Sequence, residues 1–567
     1  MKSRIAIIGI MFAVLLPFVY LHFKSGAFFL THDGPFHIER TFHFLHAFLE
    51  GNFWPTWGRF YNNGFGSPIF LFLFPVPYLI PTMIALAGID FIAALKLSFL
   101  IFQALALIAM YCWLRNGLRF SVTSSLLGSI AYIYSPYVIS AIFVRGVLRE
   151  LAGLALAPFI LFAIYQLFSQ TTLQKVGWAA LIFGLFFLTD GYSVILFFPI
   201  FFIYSLYLFL LHKIQKKFGL SVISAVILGG AISAFITLPT ILELGYLKGV
   251  NNEVYKDHFV YAWQLIDPHW GFGFSMPGTN DSMSFQIGAI NLVAISMVVF
   301  LLLTKKIKQD KLIIFFAILL VIFLILMIYH PLSLFVWGNL TVLKKVQFPW
   351  RFLAPVVLIC SFFAAVVANK YRLRLRGLII LSLLIMMVSI KYLRTNQAIE
   401  YEYSYLPTNK SDATAFHEFI PKWRDSTSSF ENITEKVEVV RGSANIISLV
   451  EKSCCTTFTV EARDPVNLRI NTLYYPGWEL YIDGKISPFT ITNNDNKKLA
   501  DNKRDISGLM AFELQNGTHN VRLQFADTPV RRSGKFISMI GIVISILLVL
   551  KHLYFTRVCA IMGKILA

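Results

Sequence analysis

Asp33 stands directly behind the first apolar run, in Thr31-His32-Asp33-Gly34-Pro35-Phe36-His37. A carboxylate at the water edge of a membrane can take the proton of an attacking hydroxyl. It can equally cap the helix that follows, with Pro35 tolerated in that helix's first turn. Residue type alone leaves both roles open. The histidines His32, His37, His43 and His46 invite a metal, but interfacial hydrogen bonding is the commoner use of such residues.

Three further clusters carry chemistry. In Arg145-Gly146-Val147-Leu148-Arg149-Glu150 a guanidinium suits a phosphate or diphosphate and a carboxylate suits a hydroxyl. The plain alternative is a salt-bridged cap between two spans. In Val346-Gln347-Phe348-Pro349-Trp350-Arg351-Phe352 the residues Trp350 and Arg351 read either as a membrane-interface anchor or as a lipid-phosphate site. The long connection from Glu243 to Gln286 carries Asp267, His269, Trp270 and Gln286, the carboxylate, amide and indole groups that grip sugars by hydrogen bonding and stacking.

The elements that must position these groups are membrane spans. A chain of 567 residues that is 57% hydrophobic and 14% charged cannot be one soluble globule with a polar skin. Apolar runs recur at residues 5–22, 68–88, 91–113, 121–142, 151–169, 177–189, 192–211, 219–242, 285–304, 312–329, 352–368, 377–390 and 536–550. Most approach the roughly 17 to 25 residues that cross a hydrocarbon core of about 30 Å. No small-residue cleavage site follows the first run, so it reads as a span and not as a secretory signal. The spans themselves read as free of Asp, Glu, Lys and Arg.

Basic residues then set the sidedness. Lys2 and Arg4, Arg115 and Arg119, Lys175, Lys213 to Lys217, Lys305 to Lys311, Lys370 to Arg376, and Arg557 and Lys564 mark cytoplasmic segments. Thirteen full crossings would break this alternation, so one run does not cross. Pro68, Pro75, Pro77 and Pro81 single out 68–88 as re-entrant or surface-lying, two short crossings over 68–96 being the alternative. Twelve spans with both termini inside follow. Asp33, Arg145, Glu150, Asp190 and the loops 23–90, 243–284 and 330–351 then face outward. Between Asp33 and Glu50 the pattern predicts a helix lying on the membrane. Ile38, Phe42, Leu45, Phe48 and Leu49 would face the lipid, and Glu39, His43, His46 and Glu50 the water.

Composition changes after Tyr392. Residues 393–533 become polar and strand-like, with alternation in Val466–Ile470 and Val521–Phe525 and turns at Pro476-Gly477 and Asp483-Gly484. A small extracytoplasmic β-sandwich is the natural reading, followed by a final span and cytoplasmic tail over 534–567. Its acids and bases nearly balance, so the net charge of +19 belongs to the membrane part of the chain, residues 1–392 together with 534–567. The charge therefore speaks for topology and anionic lipid, not nucleic acid. Tyr474, Tyr475, Trp478 and Tyr481 either stack on sugar or, as is usual for such residues, fill the sandwich. Cys112, Cys360, Cys559 and the adjacent Cys454-Cys455 form no zinc or disulfide framework.

Several of these motifs together resemble a family. Asp33-Gly34-Pro35-Phe36-His37, Arg145-Gly146 with Glu150, Phe348-Pro349-Trp350-Arg351-Phe352-Leu353, Tyr474-Tyr475-Pro476-Gly477-Trp478, Asp483-Gly484-Lys485 and Gly517-Thr518-His519 are similar to those of bacterial GT-C-type membrane glycosyltransferases. The likeness is to the YfhO-like proteins and the membrane family labelled 6-pyruvoyl-tetrahydropterin synthase-related. No pterin-synthase zinc triad accompanies it. The resemblance implies a polytopic α-helical GT-C-like fold of 12 to 13 spans with the β-rich domain outside. It implies transfer of a sugar from a polyprenyl-phosphate donor to an extracytoplasmic glycan or lipid acceptor, with inversion. It casts Asp33 as general base, Arg145 or Arg351 on the departing phosphate, and Glu150 on the acceptor or a divalent ion. His37, Glu39, Asp267, His269, Trp270, Gln286 and Trp350 would contact substrate. A single acid at the key spot, with no Asp-x-Asp pair, leans toward a metal-independent reaction. A polyprenyl-linked transporter or flippase, or a non-catalytic envelope assembly protein, is the rival; spans without ionisable groups weigh against ion-coupled transport.

Overall fold

A computed structural model describes residues 2–211, 215–249, 253–306, 310–399, 418–425, 435–493 and 505–565. Lys213 and Lys308 lie outside the described residues, as do the side chains of Arg557, Cys559 and Lys564. The helices are α1 (Lys2–Phe23), α2 (Gly34–Leu49), α3 (Val76–Leu86), α4 (Phe91–Cys112), α5 (Val122–Ile133), α6 (Pro136–Phe143), α7 (Leu148–Ser169), α8 (Leu173–Phe187) and α9 (Gly191–Leu211). There follow α10 (Gln215–Leu242), α11 (Ala289–Leu303), α12 (Lys311–Met327), α13 (Pro331–Asn339), α14 (Thr341–Lys344), α15 (Leu353–Lys370), α16 (Leu375–Ser389) and α17 (Pro529–Ile565).

Every apolar run of the sequence is helical here. Among the described residues seven helices are long and apolar enough to cross a membrane, and α5 with α6 forms a further pair bent by 45° at Ser135-Pro136. The 15 to 17 residues of α8, α11, α12 and α16 reach only roughly 22 to 26 Å at 1.5 Å per residue. The run 68–88 becomes a short 3₁₀ turn and the 11-residue α3, which opens behind Pro75 and carries Pro81 inside.

The ends of the bundle differ. At one end Gly117, Tyr165, Leu211, Asp310, Asn369 and Lys370 surround a shared cavity, so the basic loops after α4, α9 and α15 lie together. At the other end the loop behind α1 pairs with that behind α6, and the chain before α3 pairs with the end of α8. One expectation fails on the sequence itself: Lys96 falls inside the run 91–113, and the fold buries it within α4 at 1% exposure. It is tolerated because its ammonium donates to the carbonyls of Ser25 at 2.8 Å and Gly26 at 3.2 Å.

The strands are β1 (Phe28–Phe29), β2 (Ala398–Ile399), β3 (Val437–Arg441), β4 (Ala444–Glu451), β5 (Cys455–Ala462), β6 (Val466–Leu473), β7 (Trp478–Ile482), β8 (Lys485–Ser487), β9 (Thr490–Ile491), β10 (Leu509–Leu514) and β11 (Gly517–Phe525). β1 pairs antiparallel with β2. The remaining strands form two antiparallel sheets, β3-β6-β10-β9 and β4-β5-β11-β7-β8, which share a core of Val460, Leu468, Ile470, Leu480, Phe512 and Leu523. Tyr475 and Trp478 are buried in that core, whereas Tyr474 and Tyr481 are half-buried.

The sandwich is bolted to the bundle. Trp57 enters its core, 5.0 Å from the rings of both Trp478 and Phe525. Beside it, Glu243 at the end of α10 meets Arg531 of α17 at 2.8 Å, each side chain 2% exposed. Arg531 also donates to the carbonyls of Pro476 and Ala526, and Thr528 donates to Glu243. Gly477 has φ +115°, and a Cβ there would stand 2.6 Å from the guanidinium. The motif Tyr475-Pro476-Gly477-Trp478 therefore builds this joint.

The joint also corrects the reading of α2. Glu39, Arg40, Thr41, His43 and Phe44 are buried along with Ile38 and Phe42, so most of the face read as water-facing is covered, and Leu49 at the helix's end is exposed. Tyr61 stacks on His43 at 4.2 Å, and Glu50 binds Arg59 at 2.7 Å and the Ser453 amide at 2.7 Å. The polar face is covered by residues 53–73 and by the tip of the β4–β5 hairpin.

Replacing Arg531 by Met leaves the Glu243 carboxylate buried without its counter-charge. A loss of about 3–5 kcal/mol is expected, read as a lower unfolding midpoint in detergent, and Glu243→Gln in the same chain should restore part of it.

Candidate active site

Asp33 is the N-cap residue of α2, yet its side chain makes no cap hydrogen bond. The Gly34 amide instead donates to Thr31 Oγ1 at 3.0 Å. The carboxylate is half-buried and has no hydrogen-bond partner among the described residues, so the capping role belongs to Thr31. Its backbone is held firmly: the amides of His32 and Asp33 donate to the carbonyls of Val144 and Arg145 at 3.1 and 2.8 Å. Gly146 permits that approach. It sits at φ +64°, and a Cβ on it would stand 2.2 Å from Thr31 Oγ1. On the other side His32 stacks on Phe274 at 4.2 Å, with Nε2 3.1 Å from the Phe272 carbonyl. Burial lowers the pKa of His32, against the opposing pull of that carbonyl.

Arg145 and Glu150 are spent on each other. Two guanidinium nitrogens bind the two carboxylate oxygens, and Tyr137 donates to the same carboxylate at 2.5 Å. Trp350 closes over Arg145 at 4.6 Å. This pairing leaves Arg145 turned away from the phosphate role read from sequence. Both oxygens of Glu150 are occupied, so it fits neither the acceptor role nor a divalent ion. Arg351 donates to the Val346 carbonyl at 2.7 Å and lies over Tyr192 at 4.1 Å, with its Nε buried and unpartnered.

The open cationic space lies next door. A cavity of about 480 Å³ is lined by Arg40, Arg149, Asp190, Tyr192, Lys248 and Lys345, among others. Arg149 has no hydrogen bond or ion pair among the described residues, and the charges acting on it include Asp190 and Asp33. Asp190 accepts from the Ser193 amide and hydroxyl, both at 3.0 Å, which fixes the start of α9. His37 reaches this neighbourhood: Tyr78 is 3.2 Å from its Nδ1, and burial followed by the charges of Arg40 and Arg149 holds its pKa well below the usual value. Glu39 is buried on another face of α2, where its charge acts on Tyr61. Sequence reasoning passed over Arg149 for Arg145. The signal was there, since Arg149 falls in the first turn of α7 beside Glu150.

The loop residues divide. Gln286 and Trp270 are buried and structural: Gln286 accepts from Tyr392 at 2.6 Å and donates to the His269 carbonyl at 3.0 Å, while Trp270 packs on Tyr392 at 4.9 Å. Asp267 and His269 line a second cavity of about 200 Å³ with Trp263 and Asp281. It shares no lining residue with the first. Among the described residues no group of three or more His, Cys, Asp or Glu is gathered as a metal would need, and no step below is routed through one.

These features define a helical bundle apolar enough for a membrane, with a β-sandwich at one end, a cationic cavity that includes Arg149, and an Asp33 carboxylate within electrostatic reach of that arginine. No family model matches the sequence, and no curated protein matches it. Among solved structures it is similar to the arabinofuranosyltransferase AftD from mycobacteria, with a TM-score of 0.45 and 12% identity, covering 69% of this chain and 26% of that one. It is also similar to the oligosaccharyltransferase of Archaeoglobus fulgidus in its apo form, with a TM-score of 0.35 and 13% identity, covering 72% of this chain and 57% of that one. The chain thus spans about a quarter of the first and little more than half of the second. At these scores the likeness bears on neither substrate nor mechanism.

The enclosure of α2 makes its histidines pH-sensitive. Burial, followed by the charges of His46 and Arg59, lowers His43 from 6.5 to about 3. Below pH 6.5 the unfolded chain takes protons that folded His37 and His43 refuse. Stability is therefore full above that pH and falls as pH drops, by about 1.4 kcal/mol per unit for each histidine. His43→Gln should flatten the dependence of unfolding free energy on pH between 6.5 and 5 by about that amount, measured by denaturant titration.

Proposed function

We propose that this chain is a GT-C-type glycosyltransferase of the YfhO-like kind, moving a sugar from a polyprenyl-phosphate donor to a glycan or lipid acceptor outside the cytoplasm. The observation that carries the reading is a half-buried Asp33 carboxylate with no hydrogen bond or ion pair among the described residues, within electrostatic reach of Arg149, which likewise has none there and lines the cationic cavity. Charges that satisfy one another hold a fold together; charges left unsatisfied at a cavity rim are available to a ligand.

In this mechanism the acceptor hydroxyl approaches Asp33, which takes its proton as the oxygen bonds to the anomeric carbon from the face opposite the phosphate. The bond from that carbon to the phosphate oxygen breaks, and its electron pair leaves with the lipid phosphate. Configuration inverts. Arg149, with Lys248 and Lys345 on the same cavity wall, stabilises the departing negative charge. Arg145, Glu150 and Trp350 hold the loop that fixes Asp33. Asp267 and His269 line a separate cavity, and in this reading they contact the acceptor glycan. In this reading the end with Lys370 is cytoplasmic with both termini and the site and sandwich are outside, which the basic loops support.

Asp33→Asn should lower turnover by about a hundred- to ten-thousand-fold while leaving donor binding intact, measured with a radiolabelled polyprenyl-phosphate sugar. Wild-type turnover in that variant sinks the general-base role. Arg149→Gln should instead weaken donor binding roughly ten- to a hundredfold, the worth of one charged hydrogen bond, visible in KM before kcat. A scaffold or flippase would show no transfer to lose in the parent chain.

A further inference from the structure

The tip of the β4–β5 hairpin carries an apolar patch that the proposed chemistry does not use. Leu449 and Val450 are 44% and 49% exposed, and Leu49 and Phe53 are 63% and 62% exposed. The two pairs are neighbours: Asn52 donates to the Ser453 hydroxyl at 3.3 Å, the Ser453 amide donates to Glu50, and Arg59 donates to the Glu451 carbonyl. Apolar side chains crowded at a loop tip mark a surface made to be covered.

Two observations say by what. Trp54, next to Phe53, packs at 4.5 Å on Phe235, a residue two turns inside the end of the apolar helix α10. That contact brings the patch next to the end of α10, where Ile241 and Leu242 are 73% and 57% exposed on a helix apolar enough to cross a membrane. The second is the edge itself. β4 is an outer strand of its sheet, but its register breaks between Ile447 and Val450, with Ser448 at φ +54°. A bulged edge is a poor template for a second strand, so pairing with another copy does not explain the exposed side chains. Lys452, exposed at the same tip, suits a headgroup phosphate.

We propose that Leu49, Phe53, Leu449 and Val450 insert into the outer leaflet, so that the β-sandwich is a second, monotopic membrane anchor beside the spans. The inference rests on the helices crossing a bilayer and is independent of the transfer reaction. The lipid would then add a support to the Glu243–Arg531 joint and the Trp57 contact that already hold the sandwich to the bundle.

The test uses the whole chain in phospholipid vesicles containing a lipid with a diazirine on its acyl chain. After photolysis, adducts are mapped by peptide mass. Exposed residues of α1 such as Ile8 and Phe12 report that the bilayer is in place. The expected result is adducts on the peptides bearing Leu49, Phe53, Leu449 and Val450, and none on Ile486, 71% exposed on β8 at the opposite edge of the same sheet. Labelling of α1 without labelling of the tip overturns the proposal. Crosslinks between copies through β4 overturn it in favour of a dimer edge, and equal labelling of Ile486 overturns it as non-specific contact.

Discussion

Hydrocarbon offers no partner to a backbone amide or carbonyl, and this constraint organises the whole chain. Each apolar run closes its hydrogen bonds as a helix, and everything irregular is driven to the two ends. There the loops complete one another: the amides of His32 and Asp33 find the carbonyls of Val144 and Arg145, Leu30 finds Gln397, Val76 finds Leu188, and Leu473 of the sandwich finds Phe65. The rim is thus a mesh of segments far apart in sequence. A side chain on it is positioned as firmly as one on a strand, which is what a reacting group needs.

Charge follows the same logic. Burying an ion is costly unless its partner is at hand, and the described structure contains two deeply buried pairs, Arg145 with Glu150 and Glu243 with Arg531. Each sits where a loop must take one orientation. The first locks the turn that carries Gly146 against Thr31; the second locks the sandwich against α10 and α17. Other acids and bases of these loops also have partners: Asp190 serves its own helix end and Glu50 pairs with Arg59, whereas Asp33 and Arg149 have no hydrogen bond or ion pair among the described residues.

The sequence showed the helices because hydrophobic runs of that length have few other fates, and it showed β6 and β11 because their alternation matches the two faces of a sheet. It misjudged α2. Its amphipathic pattern is real, but the residues that cover the polar face, Tyr61, Arg59 and Ser453, come from a distant loop and a distant hairpin, and no local pattern announces them. Arg145 and Arg149 presented a similar ambiguity. Three charges within six residues can pair in more than one way, and the choice is made by where α7 begins and by the reversal at Gly146, both tertiary facts. Capping was equally undecidable, since Thr31 and Asp33 both suit it and only the fold shows that Thr31 takes the amide.

Lys96 bears on the rivalry between enzyme and transporter. An ionisable group inside a span is costly and, in pumps, marks the path of an ion. Here the ammonium is anchored to two backbone carbonyls, Ser25 and Gly26, at the outset of the segment that runs through β1 to Thr31 and Asp33. Those carbonyls lie just past the end of α1, in an irregular stretch whose backbone acceptors need partners from elsewhere. A cation donated from a neighbouring helix satisfies such acceptors and fixes the direction in which the chain leaves. Lys96 thereby sets the start of the very loop whose far end presents the free carboxylate. That is a positioning role, and a charge committed to two fixed carbonyls is poorly suited to shuttling ions.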